Sequence, residues 1–382
     1  MSSCSTRTDG KPSGRLMSID ALRGYDMAFI SGLGGILAAL GMAIPGCSWL
    51  HDQMGHVQWF GLHFIDTVYP LFLFVAGLSF PFSYVKQVER GMSSGQIHLK
   101  LFKRMLTLIF LGWVYQGFFK LDFSHFRYAS VLGRIGVSWF FAALLFVHFR
   151  WRVRALLAAA LLVGYWLLIC YVPAPDAPAG CGPLSLEGNF AGYCDRLFMP
   201  GMMWEKDAAG REWMEPSGTL ENVPSIVTAL LGMFCGEFVR WRRDSFGEGR
   251  KVALMFAAAA AMIVLGLVWS LDFPLCKKLW SSSYVMVVGG YSVAMFALFY
   301  WIIDVKGCRA WCFPFRIIGM NAITVYLLQA VIPIWSVTVF FFGGLQRLAG
   351  QPWGDVIANV GYFSICWIIL YFLYRKQTFL KV

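Results

Sequence analysis

The sequence predicts an all-α fold, a polytopic membrane bundle of about ten transmembrane helices with both termini in the cytoplasm. Three observations predict it. Apolar residues make up 58% of the chain and charged residues only 14%, against roughly 25% charged in a soluble domain. Long apolar runs recur from residue 21 to residue 374, each near the ~20 residues that a helix needs to cross the hydrocarbon. Lys and Arg are concentrated in alternate connections between those runs, as the positive-inside bias of membrane proteins requires.

The runs place helices near 19–44, 62–85, 105–119, 131–149, 155–173, 224–240, 252–271, 282–304, 316–338 and 356–374. They are continuous rather than alternating, which excludes the ~10-residue alternating segments of a membrane β-barrel. With the N-terminus in the cytoplasm, 22 of the 32 Lys and Arg fall on the inner side and 8 on the outer side. Arg23 and Arg134 lie within helices. The expected organisation is a cytoplasmic tail over 1–18, a transmembrane domain over 19–374 and a cytoplasmic tail over 375–382. Within the domain, residues 174–223 form a long outer loop rich in Pro, Gly and Trp; a connection of that length is expected to be an ordered cap.

The net charge of +11 does not imply a nucleic-acid partner, because the basic residues sit in short inter-helix loops and read as topology signals. The first apolar stretch carries Arg23 and Asp26 and has no small-residue cleavage site, so a cleaved leader is not expected. Ten cysteines are scattered along the chain. Cys181 and Cys194 share the long outer loop and are a disulfide candidate if that loop faces an oxidising space. Cys308 and Cys312 lack a second pair of ligands nearby, so no metal site is expected.

Polar side chains at membrane depth are costly and call for an explanation. Asp20, Arg23 and Asp26 in SIDALRGYDM are spaced so that Arg23 reaches either carboxylate on one helix face. Two readings fit: a neutralised ion pair, or a guanidinium waiting for an anionic cofactor group. In GHVQWFGLHFIDTVYP, Asp66 has no basic neighbour one turn away other than His63, at i−3. His56, ten residues back, can also fold over it. An Asp–His pair orients an imidazole for acid–base work, and spacing alone leaves both histidines open. Arg134 in VLGRIGVSWF sits near the outer end of its helix, able to snorkel or to pair with Asp66. Lys277, Lys278 and Trp280 in LCKKLWSSSY are either solvated or part of a site. Asn321, Tyr326 and Gln329 in GMNAITVYLLQ are either cross-helix hydrogen-bonding groups or site residues. No nucleophilic serine motif, P-loop or zinc-protease motif occurs.

Six collinear segments resemble the heparan-alpha-glucosaminide N-acetyltransferase family and its bacterial NagX-like relatives. They are RLMSIDALRGYDM (15–27), HVQWFGLHFIDTVYPLFLFVAG (56–77), SVLGRIGVSWFFAALL (130–145), EPSGTLENVPSIVTALLGMFCGE (215–237), KKLWSSSYVMVVGG (277–290) and GMNAITVY (319–326). The resemblance implies a membrane acyltransferase that takes an acetyl group from cytoplasmic acetyl-CoA and delivers it to an amino sugar or glycan on the outer side. It favours His56 over His63 as base or acyl carrier, with Asp66 beside it; in the mechanism this suggests, Asp66 orients His56 and Asn321 donates to the oxyanion. Arg23, Arg134, Arg104 and Arg316 are the expected holders of the acetyl-CoA phosphates, and Trp59, Lys277, Trp280 and Tyr326 the expected acceptor contacts. Ser31 and Gln329 stand where the lysosomal relative carries an asparagine and a histidine, departures that fall where the acceptor would bind.

The expected partners are therefore the lipid bilayer, acetyl-CoA and a periplasmic sugar or glycan, with no metal and no nucleic acid. The expected location is a bacterial inner membrane, with a homodimer as a compatible assembly. A sugar permease that uses His56 and Asp66 as a proton relay is the alternative from another class.

Overall fold

The computed structural model describes residues 16–241 and 246–380. Most of the expected tail 1–18 and the end of the tail 375–382 lie outside the described residues. The chain is an integral, multi-pass helical bundle. Its helices in chain order are α1 Met17–Ala43 and α2 Ser48–Met54, then α3 Phe64–Glu89, α4 Ser94–Tyr115, α5 Val131–His148 and α6 Trp151–Tyr171. The short α7 Phe190–Phe198 precedes α8 Asn222–Arg240, α9 Glu248–Trp269 and α10 Ser282–Val305. The chain ends in α11 Phe313–Met320, α12 Ala322–Val331, α13 Ile334–Ala349 and α14 Trp353–Arg375. A hairpin of β1 Glu205–Lys206 and β2 Glu212–Met214 is antiparallel.

Among the described residues, 8 helices are long and apolar enough to cross a membrane, or up to 9 if a bent pair counts as one span, beside the expected number of about ten. The segment expected at 105–119 belongs to α4, which starts earlier at a Ser93–Gln96 capping box. That start draws Lys100, Lys103 and Arg104 into the helix and lowers its apolar character. The run expected at 316–338 is not one helix either. It bends by 58° between α11 and α12 at Asn321, whose φ of −124° and ψ of 31° break the helical path. A further helix, α13, fills a stretch expected to be a connection.

Close helix packing supplies much of the frame. Gly77 of α3 lies against the backbone of Ala229, and Gly232 of α8 against that of Phe74. Any side chain at either position would collide with main chain, so these glycines let α3 and α8 touch backbone to backbone. Gly24 and Gly319 do the same for α1 and α11. α1 is kinked within Phe29–Leu33, where Gly32 has a non-helical φ of 123° that glycine adopts without steric cost.

Between α6 and α8 the chain forms a cap. Its core joins Ala191 and Met214 to Tyr165 and Ile169 of α6, and to Phe273, Cys276 and Leu279 of the connection between α9 and α10. The connections 44–63, 116–130, 172–221 and 270–281 therefore meet at one end of the bundle.

Candidate functional site

The connection between α1 and α3 turns sharply before entering the membrane. Asp66 lies in the first turn of α3 and is 1% exposed. Its Oδ2 accepts from the His63 backbone N–H at 3.2 Å, and the Val57 N–H lies at 3.4 Å. Its Oδ1 faces His56 Nδ1 at 2.7 Å and Lys277 Nζ at 3.0 Å. The Tyr284 hydroxyl donates to its backbone carbonyl at 2.6 Å. A buried carboxylate is tolerable only when paired and hydrogen-bonded in this way.

His63 is excluded as the partner because its ring Nδ1 bonds the Gly55 carbonyl at 2.7 Å instead. With Asp66 ionised, Oδ1 can only accept, so the His56 Nδ1–H donates to it. The Nε2 of His56 then carries the free lone pair, and the His56 side chain is 62% exposed. The arrangement is a basic nitrogen held in one tautomer by a buried anion.

Lys277 completes the group. It sits at the tip of a closed turn in which Ser281 N–H donates to the Cys276 carbonyl and Trp280 N–H to the Lys277 carbonyl, both at 3.1 Å. Phe273, Cys276, Leu279 and Trp280 are all fully buried. Each such side chain stabilises the turn by roughly 1.5–3 kcal/mol through removal from water. Trp280 holds the left-handed backbone conformation at φ 50°, and its indole N–H donates to Thr228 Oγ1 at 3.1 Å. Burial pulls the Lys277 ammonium below the usual lysine range, and the attraction of Asp66 opposes that pull.

These residues form the wall of a cavity of about 670 Å³. Of the expected site residues, His56, Trp59, Asp66, Arg134, Lys277, Trp280 and Tyr326 line it. Trp59 is anchored by its indole N–H to the Leu184 carbonyl of the cap at 2.9 Å. Trp280 backs the wall as a fully buried ring, with its N–H spent on Thr228. The rim contains residues that sequence reasoning missed: Arg127, Trp204, Glu205 and Ser217. Arg127 makes a two-pronged bond to Glu215, and Lys278 pairs with Glu205 at 2.8 Å. The only sequence signal for them was the EPSG segment and the abundance of Trp in the cap.

Four expected residues do not reach this cavity. Asn321 is 1% exposed at the corner between α11 and α12, with its Oδ1 accepting from Thr324 Oγ1 at 3.3 Å. The structure does not bring it to His56, because the bend turns its side chain into the helix junction. Arg23 pairs with Asp20 at 3.6 Å. Arg104 lies 4.0 Å over the Trp139 ring and feels the charge of Arg23. Arg316 is on α11, which packs against α1. Arg134 is separated from these three, since it lines the cavity beside His56. Cys181 and Cys194, the disulfide candidate, are not bonded to each other in this structure; the Cys181 thiol lies 3.6 Å from Glu187 Oε2. Among the described residues, no group of three or more His, Cys, Asp or Glu is placed to hold a metal ion.

A small apolar cavity continues inward, lined by Met27, Ile30, Tyr69, Phe72, Ile135 and Tyr326 among others. Ile30, Tyr69 and Tyr326 also line the large cavity. One turn further in from Met27 and Ile135 lie Arg23 and Trp139, the ring under Arg104.

Two known proteins match this chain over most of its length. Heparan-alpha-glucosaminide N-acetyltransferase of Mus musculus is 27% identical over 384 residues, covering 86% of this chain. The protein of the same name from Homo sapiens is 26% identical over 426 residues, covering 96%. In sequence the chain is similar to heparan-alpha-glucosaminide N-acetyltransferase. It spans 56% and 60% of the length of these two relatives. No protein-family profile matches it. Against heparan-alpha-glucosaminide N-acetyltransferase, the alignment with the human protein takes in nearly the whole described bundle rather than one local motif.

Proposed function

We propose that this chain is a transmembrane acyltransferase. It takes an acetyl group from acetyl-CoA at the inner, cytoplasmic face and delivers it to an amino sugar or related glycan at the opposite, periplasmic face of a bacterial inner membrane. The observation that carries the reading is the His56–Asp66–Lys277 group, with a free imidazole Nε2 at the wall of an aromatic-rimmed cavity. The names of the two relatives support acetyl transfer to a glucosaminide. The excess of Lys and Arg on the other side supports the outer placement of the cavity.

Acetyl-CoA is too highly charged to cross a bilayer, so its nucleotide end stays at the inner face. Arg23, Arg104 and Arg316 are the candidate phosphate holders there, guanidinium being suited to phosphate. The small apolar cavity lined by Met27, Tyr69 and Tyr326 lies on the line that the thin pantetheine arm would follow. His56 Nε2 then deprotonates the acceptor amine, or carries the acetyl group itself. Asp66 fixes the tautomer and stabilises the imidazolium that forms, and Lys277 holds Asp66 ionised and in place. Trp59, Trp204 and Tyr326 offer ring faces and edges to a sugar.

A transport role places different demands on the same residues. A proton relay needs an Asp66 free to gain and lose its proton, whereas here four donors converge on its carboxylate. Thermal stabilisation of the purified chain by acetyl-CoA tests the enzyme reading. Sugar uptake by proteoliposomes lacking any CoA donor, with no stabilisation by acetyl-CoA, would replace it with a permease.

A further inference from the structure

We propose that Arg134 is the electrophile that stabilises the oxyanion formed when the acetyl carbonyl is attacked, an inference that rests on the acyltransferase reading above. Arg134 lines the same cavity as His56, yet its side chain is only 1% exposed. Its ion-pair partner among the described residues is Glu221, whose two oxygens also lack a hydrogen-bond partner; their closest atoms are 4.0 Å apart, too far for a hydrogen bond. Among the described residues, its Nε and Nη2 have no hydrogen-bond partner. Every other cation of the cavity is committed: Arg127 to Glu215, Lys278 to Glu205 and Lys277 to Asp66.

A buried guanidinium with unmet N–H groups is costly. The cost is intelligible if those donors are kept for charge that appears during the reaction, where preorganised donors in a dry site act most strongly. The frame around Arg134 is rigid. Ser130 caps α5 by accepting from the Gly133 N–H at 3.0 Å, which sets Arg134 in the first turns of that helix. The helix start is the positive end of its dipole and faces the same space, since Val131 also lines the cavity. The guanidinium lies 5.0 Å over the Trp280 ring, in the turn that carries Lys277, so Arg134 and the His56 group are held by one piece of structure. Asn321, the amide that sequence suggested for this role, is off the cavity wall.

The acceptor amine nitrogen forms a bond to the thioester carbonyl carbon, and the carbonyl π pair moves onto oxygen beside Arg134. His56 Nε2 takes the amine proton. The C–O double bond then re-forms, the C–S bond breaks, and the departing thiolate takes the proton from His56 to give the free thiol of CoA.

The test compares wild type with Arg134→Ala and Arg134→Lys in detergent, measuring label transfer from acetyl-CoA to glucosamine and acetyl-CoA binding by calorimetry. The expected result is a fall in kcat of about 10²–10³ for Arg134→Ala. Acetyl-CoA affinity should stay within a few-fold, and added guanidinium should restore part of kcat. Arg134→Lys keeps a cation over Trp280 but lacks the fork, so it too should lose kcat, and it decides the matter if the alanine variant does not fold. Unchanged kcat in the lysine variant, or a loss confined to KM for acetyl-CoA, overturns the proposal. So does a loss that guanidinium does not rescue in a protein of wild-type melting temperature. Absence of transfer by the wild-type chain would instead remove the acyltransferase reading, and this inference with it.

Discussion

Gly61 donates its backbone N–H to the Leu275 carbonyl at 2.8 Å, tying the connection that carries His56 to the turn that carries Lys277. The bond needs a backbone that only glycine adopts easily. Gly61 has φ 124°, and a Cβ there would sit 3.2 Å from Val57 Cγ1. Gly61→Ala should cost about 1–2 kcal/mol in backbone strain. It should also shift His56 relative to Lys277 and lower the transfer rate by roughly tenfold or more. Melting curves and kcat at saturating acetyl-CoA check both effects, and a variant with wild-type values in both would contradict the tie.

Lys277→Met keeps the length of the side chain but removes the charge that anchors Asp66. The expected outcome is a loss of about 10–100-fold in kcat, as for outer-shell partners of a reactive centre. Acetyl-CoA binding should be intact. Because burial holds the Lys277 ammonium below the usual lysine range, raising the pH discharges it sooner than an ordinary lysine. The wild-type rate should therefore fall on the alkaline side before ordinary lysines titrate, and Lys277→Met should lack that limb. A pH–rate profile of the two proteins measures it.

The cap carries its own pH dependence. Asp195 is fully buried, and burial pushes its carboxyl from the ordinary value of 3.8 up to about 6, against the opposing N–H groups of Thr219 and Glu215 and the Thr219 hydroxyl. A folded-state pKa above the unfolded one means that the fold binds the proton more tightly. The stabilising contribution is full below about pH 3.8 and is lost as the pH rises through about 6. The apparent melting temperature should decline over that window in wild type and decline less in Asp195→Asn.

Trp204 is 60% exposed at the cavity rim, 4.9 Å from the Arg127 guanidinium. Trp204→Ala should raise KM for the sugar acceptor by about 2–10-fold, the worth of one aromatic contact of roughly 0.5–1.5 kcal/mol. KM for acetyl-CoA should not move. Steady-state kinetics with each substrate varied in turn separate the two.

The sequence made the long spans legible because hydrocarbon thickness sets their length directly, as for α3, α9 and α14. The apolar run around Asn321 hid a 58° bend, since a break inside an apolar segment depends on what packs beside it. That Asp66 needs a partner was legible, because a carboxylate without a cation near it does, but spacing left His56 and His63 both open and only the family resemblance favoured His56. Lys277 was legible only as one of two lysines outside the membrane, because its partner Asp66 is 211 positions away in the chain. The same distance problem concealed Arg127 and Glu215, which are 88 positions apart. The place of Asn321 was illegible for another reason, since an amide in an apolar run does not announce that it sits at a helix corner.

The measurement that tests the central claim most directly is transfer of labelled acetyl from acetyl-CoA to a panel of amino sugars by the purified chain, wild type beside His56→Ala. The account predicts label on a sugar with wild type, and a loss of at least about 10² with the variant while acetyl-CoA binding is kept. Full transfer by a folded His56→Ala protein would contradict the role of His56, and no transfer or acetyl-CoA binding by folded wild type would contradict the enzyme itself.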